Sequence, residues 1–241
     1  MDTAGGDYTF VGGLGGSPKL FLHNSTNGYT ITKSGTLAEV TDTNFPPKRT
    51  PAETLVPGAV YLNGTFYVLN DVAEFANSAA TDNDPTTWEA AVLGAEFEGN
   101  DAVALGKNLT YLLAFKEYHT EVFYDAGNPA PGSPLGPVTG AKMNFGLKSP
   151  RSLVDCGGDL MLVSRTNEGE VAVTKINQLA ATTVSTPAVD RILSSADFSV
   201  VYAWGAKCEG HRFYGLTLRA SNITLVYDLT TGLWYHWTDT D

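Results

Sequence analysis

Residues Val103–Gly127 read VALGKNLTYLLAFKEYHTEVFYDAG, and this stretch decides the fold. The apolar runs are β-branched and aromatic, too short for helices, and separated by Gly, Asn and Asp. They read as three strands: Val103–Leu105, a turn at Gly106-Lys107-Asn108, Leu109–Phe115, a turn around Lys116-Glu117, and Thr120–Tyr124. The following DAGNPAPGSPLGP (Asp125–Pro137) carries four of the twelve prolines. Such a segment continues neither strand nor helix and is expected to be a long exposed connection.

The same theme recurs on both sides. Towards the N-terminus, Lys19–His23, Tyr29–Thr32 and Leu37–Thr41 read as short strands. Ala59–Leu62 and Thr65–Leu69 flank Asn63-Gly64, the pair that a tight hairpin favours because both central residues need positive φ. Val72–Phe75 continues that meander, and Phe45–Pro57, with four prolines, is a connection. Towards the C-terminus, residues 153–163, 170–177 and 182–185 surround Gly157-Gly158. Residues 200–204, 211–218, 223–228 and 233–237 surround Glu209-Gly210.

The first turn of each unit falls at Gly16, Gly64, Asn108, Gly158 and Gly210, that is, about every 50 residues, the period of a propeller blade. The expected fold is all-β, a β-propeller of five or six four-stranded antiparallel blades. The units lie near 19–57, 58–99, 100–148, 149–197 and 198–241, behind a Gly-rich lead-in segment at 1–18. A further blade is expected after Trp234-Tyr235-His236-Trp237, which leaves the propeller incomplete at its C-terminal end. A β-sandwich with long loops is the competing arrangement.

The chain has 26 acids against 15 bases, a formal charge of −11 and a pI near 4.7. Gripping nucleic acid through its phosphates requires the opposite balance. No run of 18 apolar residues is present, so no membrane span is expected. The N-terminus lacks the basic and apolar regions of a signal peptide. Cys156 and Cys208 fall in different units, so they are expected unpaired, buried and inert. The sequons at Asn63 and Asn108 are better explained by turn chemistry than by glycosylation.

Motifs for catalysis are weak. GGLGG (Gly12–Gly16) lacks the Gly-Lys-Ser/Thr ending of a phosphate loop. His23, His119, His211 and His236 have no metal-ligand spacing. A propeller glycosidase needs converging carboxylates, yet among the first strands of the units only Asp155 is acidic. TDNDPTTW (Thr81–Trp88) resembles the Asp-box turn of sialidases in its Thr-Trp ending but has Pro85 where Gly is expected. Trp234 and Trp237 could form a sugar platform, although packing within a blade is the plainer account. No catalytic residue, cofactor or metal is expected.

From residue 60 onward the order of signals resembles the tail nozzle (hub) proteins of short-tailed bacteriophages, also called packaged-DNA stabilisation proteins. The matching pieces are Val60–Leu69, DPTTW (Asp84–Trp88), AEFEGNDAVALGKNLTYLLAF (Ala95–Phe115) and TEVFYDAGNPAPGSPL (Thr120–Leu135). STPAVDRIL (Ser185–Leu193), HRFYGLTL (His211–Leu218) and LVYDLTTGLWYHW (Leu225–Trp237) follow. The resemblance implies a structural, non-enzymatic virion protein, assembled in the host cytoplasm. Six copies would form a tube that retains packaged DNA and conducts it during ejection. It also implies contacts with an adaptor or head-completion ring and with tail fibre, spike or needle proteins. On that reading the loop acids Asp82, Asp84, Glu96, Glu98 and Asp101 are candidates to face the lumen, where they would repel phosphate within a Debye length. The exposed loop residues Asp125, Asn128, Pro129, Pro131 and Pro134 are candidates for the head-to-tail subunit contact. The alternative function is a carbohydrate-binding or glycosidase-like propeller acting as a receptor-binding tail protein.

Overall fold

The computed structural model describes residues 7–49, 53–79, 83–95, 99 and 101–237. Five antiparallel sheets follow one another along the chain, each a meander. Sheet 1 holds β1 (Thr9–Gly12), β2 (Lys19–His23), β3 (Gly28–Thr32) and β4 (Leu37–Glu39). Sheet 2 holds β5 (Val60–Leu62), β6 (Thr65–Leu69), β7 (Glu74–Asn77) and β8 (Leu93–Gly94). Sheet 3 holds β9 (Ala102–Asn108), β10 (Tyr111–Lys116), β11 (Thr120–Asp125) and β12 (Leu135–Pro137). Sheet 4 comprises β13 (Gly146–Leu147), β14 (Val154–Asp155), β15 (Leu160–Arg165), β16 (Val171–Asn177) and β17 (Ala180–Thr183). Because β13 and β14 share one edge of β15, this sheet is also four strands wide. After helix α1 (Pro187–Ser194), sheet 5 holds β18 (Val201–Cys208), β19 (His211–Leu218), β20 (Ile223–Asp228) and β21 (Leu233–Trp237). Five successive four-stranded meanders are the blades of a β-propeller; a two-sheet sandwich is excluded.

The chain divides into two compact units. One contains sheets 1–3; the other contains sheets 4 and 5 together with Glu117–His119. In the first unit, β6 shows why its sequence, TFYVL, has no polar alternation. Side chains alternate between faces, and both faces of this strand are covered. Phe66 and Val68 share a core with Phe21, Val40 and Phe45 of the sheet 1 side and with Trp88 from the connection after β7. Tyr67 and Leu69 share another with Leu105, Leu112, Ala114 and Phe123 of sheet 3. A strand buried on both sides reads as an unbroken apolar run, and each large side chain there contributes roughly 1.5–3 kcal/mol of burial free energy. In the second unit, Met161, Val163 and Val173 of sheet 4 pack with Tyr214, Leu216 and Leu225 of sheet 5, and α1 adds Val189 and Leu193.

The Asn63-Gly64 turn forms as expected, with φ of 48° and 91°. Other expectations shift. The strand read as Val103–Leu105 continues through Gly106, Lys107 and Asn108, which pair with Leu113, Leu112 and Tyr111. The two-residue turn is Leu109-Thr110. Leu109 takes the left-handed conformation, φ 56°, with its side chain exposed. Asn108 is therefore a buried strand residue and not a turn residue. The Asp125–Pro137 connection ends in strand β12, where Leu135, Gly136 and Pro137 pair with Asp125, Tyr124 and Phe123. Pro137 is tolerated because β12 is an edge strand. Thr9–Gly12, inside the stretch read as a lead-in, pairs with β2 as the first strand of sheet 1. Helix α1 was not expected. Its local signals are nonetheless present: Thr186 caps it by accepting from the Val189 N–H, and Pro187 occupies its first position. Both cysteines are free, but only Cys156 is buried; Cys208 is exposed.

Candidate functional site

Within the first unit, the meander connectivity sends every first turn to one end of the sheets and every second turn to the other. The first-turn end carries Asn63-Gly64, Leu109-Thr110, the Lys33–Thr36 turn and the connections after β7 and β11. The second-turn end carries the Asn70–Ala73 turn and the segment that leads into β9. The two ends differ in charge.

At the second-turn end, acids converge from several elements. The Asn70 amide donates to Glu53 Oε2 at 2.7 Å and Glu74 Oε2 at 3.1 Å, and Asn70 Oδ1 accepts the Glu74 N–H. Thr54 donates to Asp71, whose carbonyl accepts the Ala102 N–H and so brings exposed Asp101 alongside. Glu39 ends β4 here. Two cations answer this group: Arg49 pairs with Glu53 at 2.7 Å and Lys48 with Glu39 at 2.6 Å. The result is a surface with acid in excess.

The first-turn end is different. Asp84 lies in the connection after β7 and pairs with Lys19 at 2.5 Å. It also accepts the Thr86 N–H and hydroxyl. Burial would raise its carboxyl pKa, but the Lys19 and Thr86 contacts prevail and hold it below the usual range. Lys33 occupies the neighbouring turn, and Lys107 reaches the Tyr61 carbonyl at 2.9 Å. The Trp88 indole N–H donates to the Pro85 carbonyl at 2.8 Å, and its ring packs on Phe21 and Phe45. The Asp84–Trp88 segment is thus a structural turn.

The acids chosen from sequence are not brought together. Asp84 and Asp101 lie at opposite ends of sheets 2 and 3, and Asp84 is paired with a lysine. Asp82, Glu96 and Glu98 lie outside the described residues. Glu39, Glu53, Asp71 and Glu74 were missed. Their signal was available only in part: acids bordering second turns become neighbours once sheets stack, and the stacking order is invisible in composition.

The connection after β11 is ordered by its own side chains. Asp125 Oδ2 accepts from Asn63 Nδ2 at 2.7 Å and Oδ1 from the Gly127 N–H at 2.9 Å. Asn128 Nδ2 donates to the Leu135 carbonyl at 3.0 Å. Asn128, Pro129 and Pro131 are exposed, and the Ala130–Pro131 peptide is cis; Pro134 is buried.

The other residues weighed from sequence have structural roles. Asp155 accepts the Gly158 N–H in a turn. His211 Nδ1 lies 2.7 Å from Asp228 Oδ2. Burial raises the Asp228 pKa, but donors from Thr230, Thr231 and His211 outweigh it and bring the carboxyl to about 2. Trp234 donates to the Val184 carbonyl and packs on Tyr227. Trp237 is half exposed, against the expectation that it packs in a blade, with its ring 5.8 Å from Trp204. Among the described residues, no group of three His, Cys, Asp or Glu is placed to hold a metal ion. No described helix is long and apolar enough to cross a membrane.

Comparison with known proteins gives a family. The Phage_stabilise family model, described as bacteriophage P22 Gp10, beta-propeller, matches residues 1–237. No curated protein matches the sequence. Among solved structures, the chain is similar to a putative 6-phosphogluconolactonase from Bacteroides uniformis. The identity is 14% and the TM-score 0.55, over 90% of this chain and 66% of that one. It is also similar to the dihydro-heme d1 dehydrogenase NirN, with 12% identity and a TM-score of 0.53, over 92% of this chain and 44% of that one. The chain therefore spans less than two thirds of either structure's length. At such identities the likeness shows the propeller fold alone.

Proposed function

This chain belongs to the Phage_stabilise family, that of the bacteriophage P22 Gp10 β-propeller, and from that premise we propose that it is a phage structural protein that stabilises packaged DNA as part of a tail nozzle. In this reading several copies, six by the resemblance, form a tube that retains DNA in the head and conducts it during ejection. The tube sits in the virion tail between an adaptor or head-completion ring and the fibre, spike or needle proteins. The observation that carries the reading is the family match along residues 1–237.

Electrostatics supports it. DNA that must leave quickly cannot adhere to the wall, and a net charge of −11 opposes adhesion. The acid excess at the second-turn end makes that surface, with exposed Asp71 and Asp101, the one assigned to the DNA path. The exposed Asn128, Pro129 and Pro131 of the connection after β11 are assigned to the subunit contact.

Negative-stain electron microscopy and mass photometry of the purified protein, alone and mixed with its adaptor ring, test the assembly. Rings or tubes are the expected result; a monomer in both conditions refutes the nozzle. In assembled particles, D71N with D101N should slow DNA ejection, more so at low salt. Unchanged kinetics would remove the assignment of this surface.

A further inference from the structure

We propose that the groove at the first-turn end of sheet 3 is a subsite for a neutral sugar ring. This inference does not rest on the nozzle reading. The groove encloses about 350 Å³ and is lined by Asn63, Thr110, Tyr111, Tyr124, Asp125 and Val138. That volume lies at the small end of ligand pockets.

Its walls follow from the register of the sheet. Tyr111 and Tyr124 are direct cross-strand partners, so both rings stand on the same face. Tyr124 pairs on its other side with Gly136 of β12, and a Cβ at Gly136 would meet Tyr124 Cε1 at 3.5 Å. The Tyr124 ring lies over this edge and remains 43% exposed. Two phenol rings form an apolar wall of the kind that takes the C–H face of a pyranose.

The polar side of the groove is equally defined. Asp125 is oriented by Asn63 Nδ2 and the Gly127 N–H. Each oxygen keeps acceptor capacity beyond those bonds, and among the described residues no lysine or arginine pairs with Asp125. An uncompensated carboxylate disfavours phosphates and other anions and accepts hydroxyl protons. An aromatic wall facing an oriented carboxylate, with the Thr110 hydroxyl and the Asn63 amide beside it, suits a ligand with one apolar face and a rim of hydroxyls.

The test is saturation-transfer NMR on the full chain, with the methyl α-glycosides of glucose, galactose and mannose as probes. At least one should receive saturation, with a dissociation constant in the millimolar range. Tyr124→Ala should weaken that binding about two- to tenfold, the value of one aromatic contact. Tyr124→Leu, which keeps apolar area but loses the ring, should weaken it similarly. Asp125→Asn should cost about tenfold or more, as expected for a hydrogen bond to a charged acceptor. The three variants alter groove-lining residues, and circular dichroism checks that each stays folded. Absence of transfer to all three glycosides overturns the proposal. So does transfer that survives unchanged in all the variants. Competition by N-acetyl-arginine amide at lower concentration than any glycoside overturns it too, because the groove would then be a seat for a basic side chain.

Discussion

The Pro57-Gly58 step offers the sharpest test of how the first unit is held together. Gly58 has φ +114°, and a Cβ placed on it would lie 2.0 Å from the Leu105 carbonyl oxygen. The same short segment ties three sheets. His23 Nε2 on β2 lies 3.0 Å from the Gly58 carbonyl, Gly58 N–H donates to Thr9 Oγ1 on β1, and the Leu105 N–H of β9 donates to the Pro57 carbonyl at 2.9 Å. Gly58→Ala therefore incurs two costs. Forcing an L-residue into this conformation costs about 1–3 kcal/mol. Relieving the overlap means moving β9 backbone, an overpacking cost of about 1–3 kcal/mol, and straining the Leu105–Pro57 bond adds about 1 kcal/mol. The sum is about 3–7 kcal/mol, a large share of the roughly 5–15 kcal/mol that holds a domain together. Gly127→Ala is the control: φ is +66° and nothing lies within 4 Å of its Cβ, so it should cost only about 1–2 kcal/mol. Urea denaturation of both variants, with hydrogen exchange of the β9 amides, measures the difference. If Gly58→Ala costs no more than Gly127→Ala, the close approach of Gly58 to β9 is not what the structure says it is.

Further outcomes follow from single contacts. The indole of Trp204 covers Gly215, where a Cβ would come within 2.1 Å of the ring. Gly215→Ala should displace the ring, change Trp fluorescence and destabilise by about 1–3 kcal/mol; an unchanged spectrum would contradict the stacking. His23 is buried, and burial lowers its pKa despite the carbonyls of Asn24 and Gly58. Below the ordinary histidine value of 6.5 the unfolded chain takes up a proton that the native chain refuses, so stability falls as pH drops from 7 towards 5. His23→Gln should flatten that part of the stability–pH curve in urea titrations. Asp228, at about 2, acts in a separate window: its contribution is lost between pH 4 and pH 2, and Asp228→Asn should remove that acid step. Burial, with the neighbouring Asp155 and Asp159 charges, pushes the Cys156 thiol up to about 12, while Cys208 is exposed. A disulfide reagent should therefore titrate one thiol per native chain and two after unfolding; two fast thiols in the native state would refute the burial of Cys156.

Much of this architecture is legible in local chemistry. Short β-branched and aromatic runs, cut by turn residues at a regular spacing, dictate successive meanders, because strand alternation and turn conformation are decided within a few residues. Asn63-Gly64 is the plainest example, since its two positive φ angles need no tertiary partner. Leu109 shows the limit. Nothing in its side chain asks for a left-handed conformation; the pairing of Asn108 with Tyr111 imposes it. Strand β12 was hidden for the same reason, because Leu135-Gly136-Pro137 becomes a strand only where β11 presents a free edge.

The surfaces belong to tertiary structure. Asp125 and Asn63, and Glu53 and Asn70, are far apart in the chain and meet only after sheets pair and stack. Acidic composition alone predicts a protein that repels DNA, but not that Glu39, Glu53, Asp71, Glu74 and Asp101 share one end of a unit while Lys19, Lys33 and Lys107 lie at the other. That separation follows from meander connectivity, which sends alternate turns to opposite ends. Sequence spacing thus determines that successive meanders form, about 50 residues apart. The pairing and packing of those blades decide which side chains share a surface, because contacts between distant residues depend on distances that no local pattern encodes.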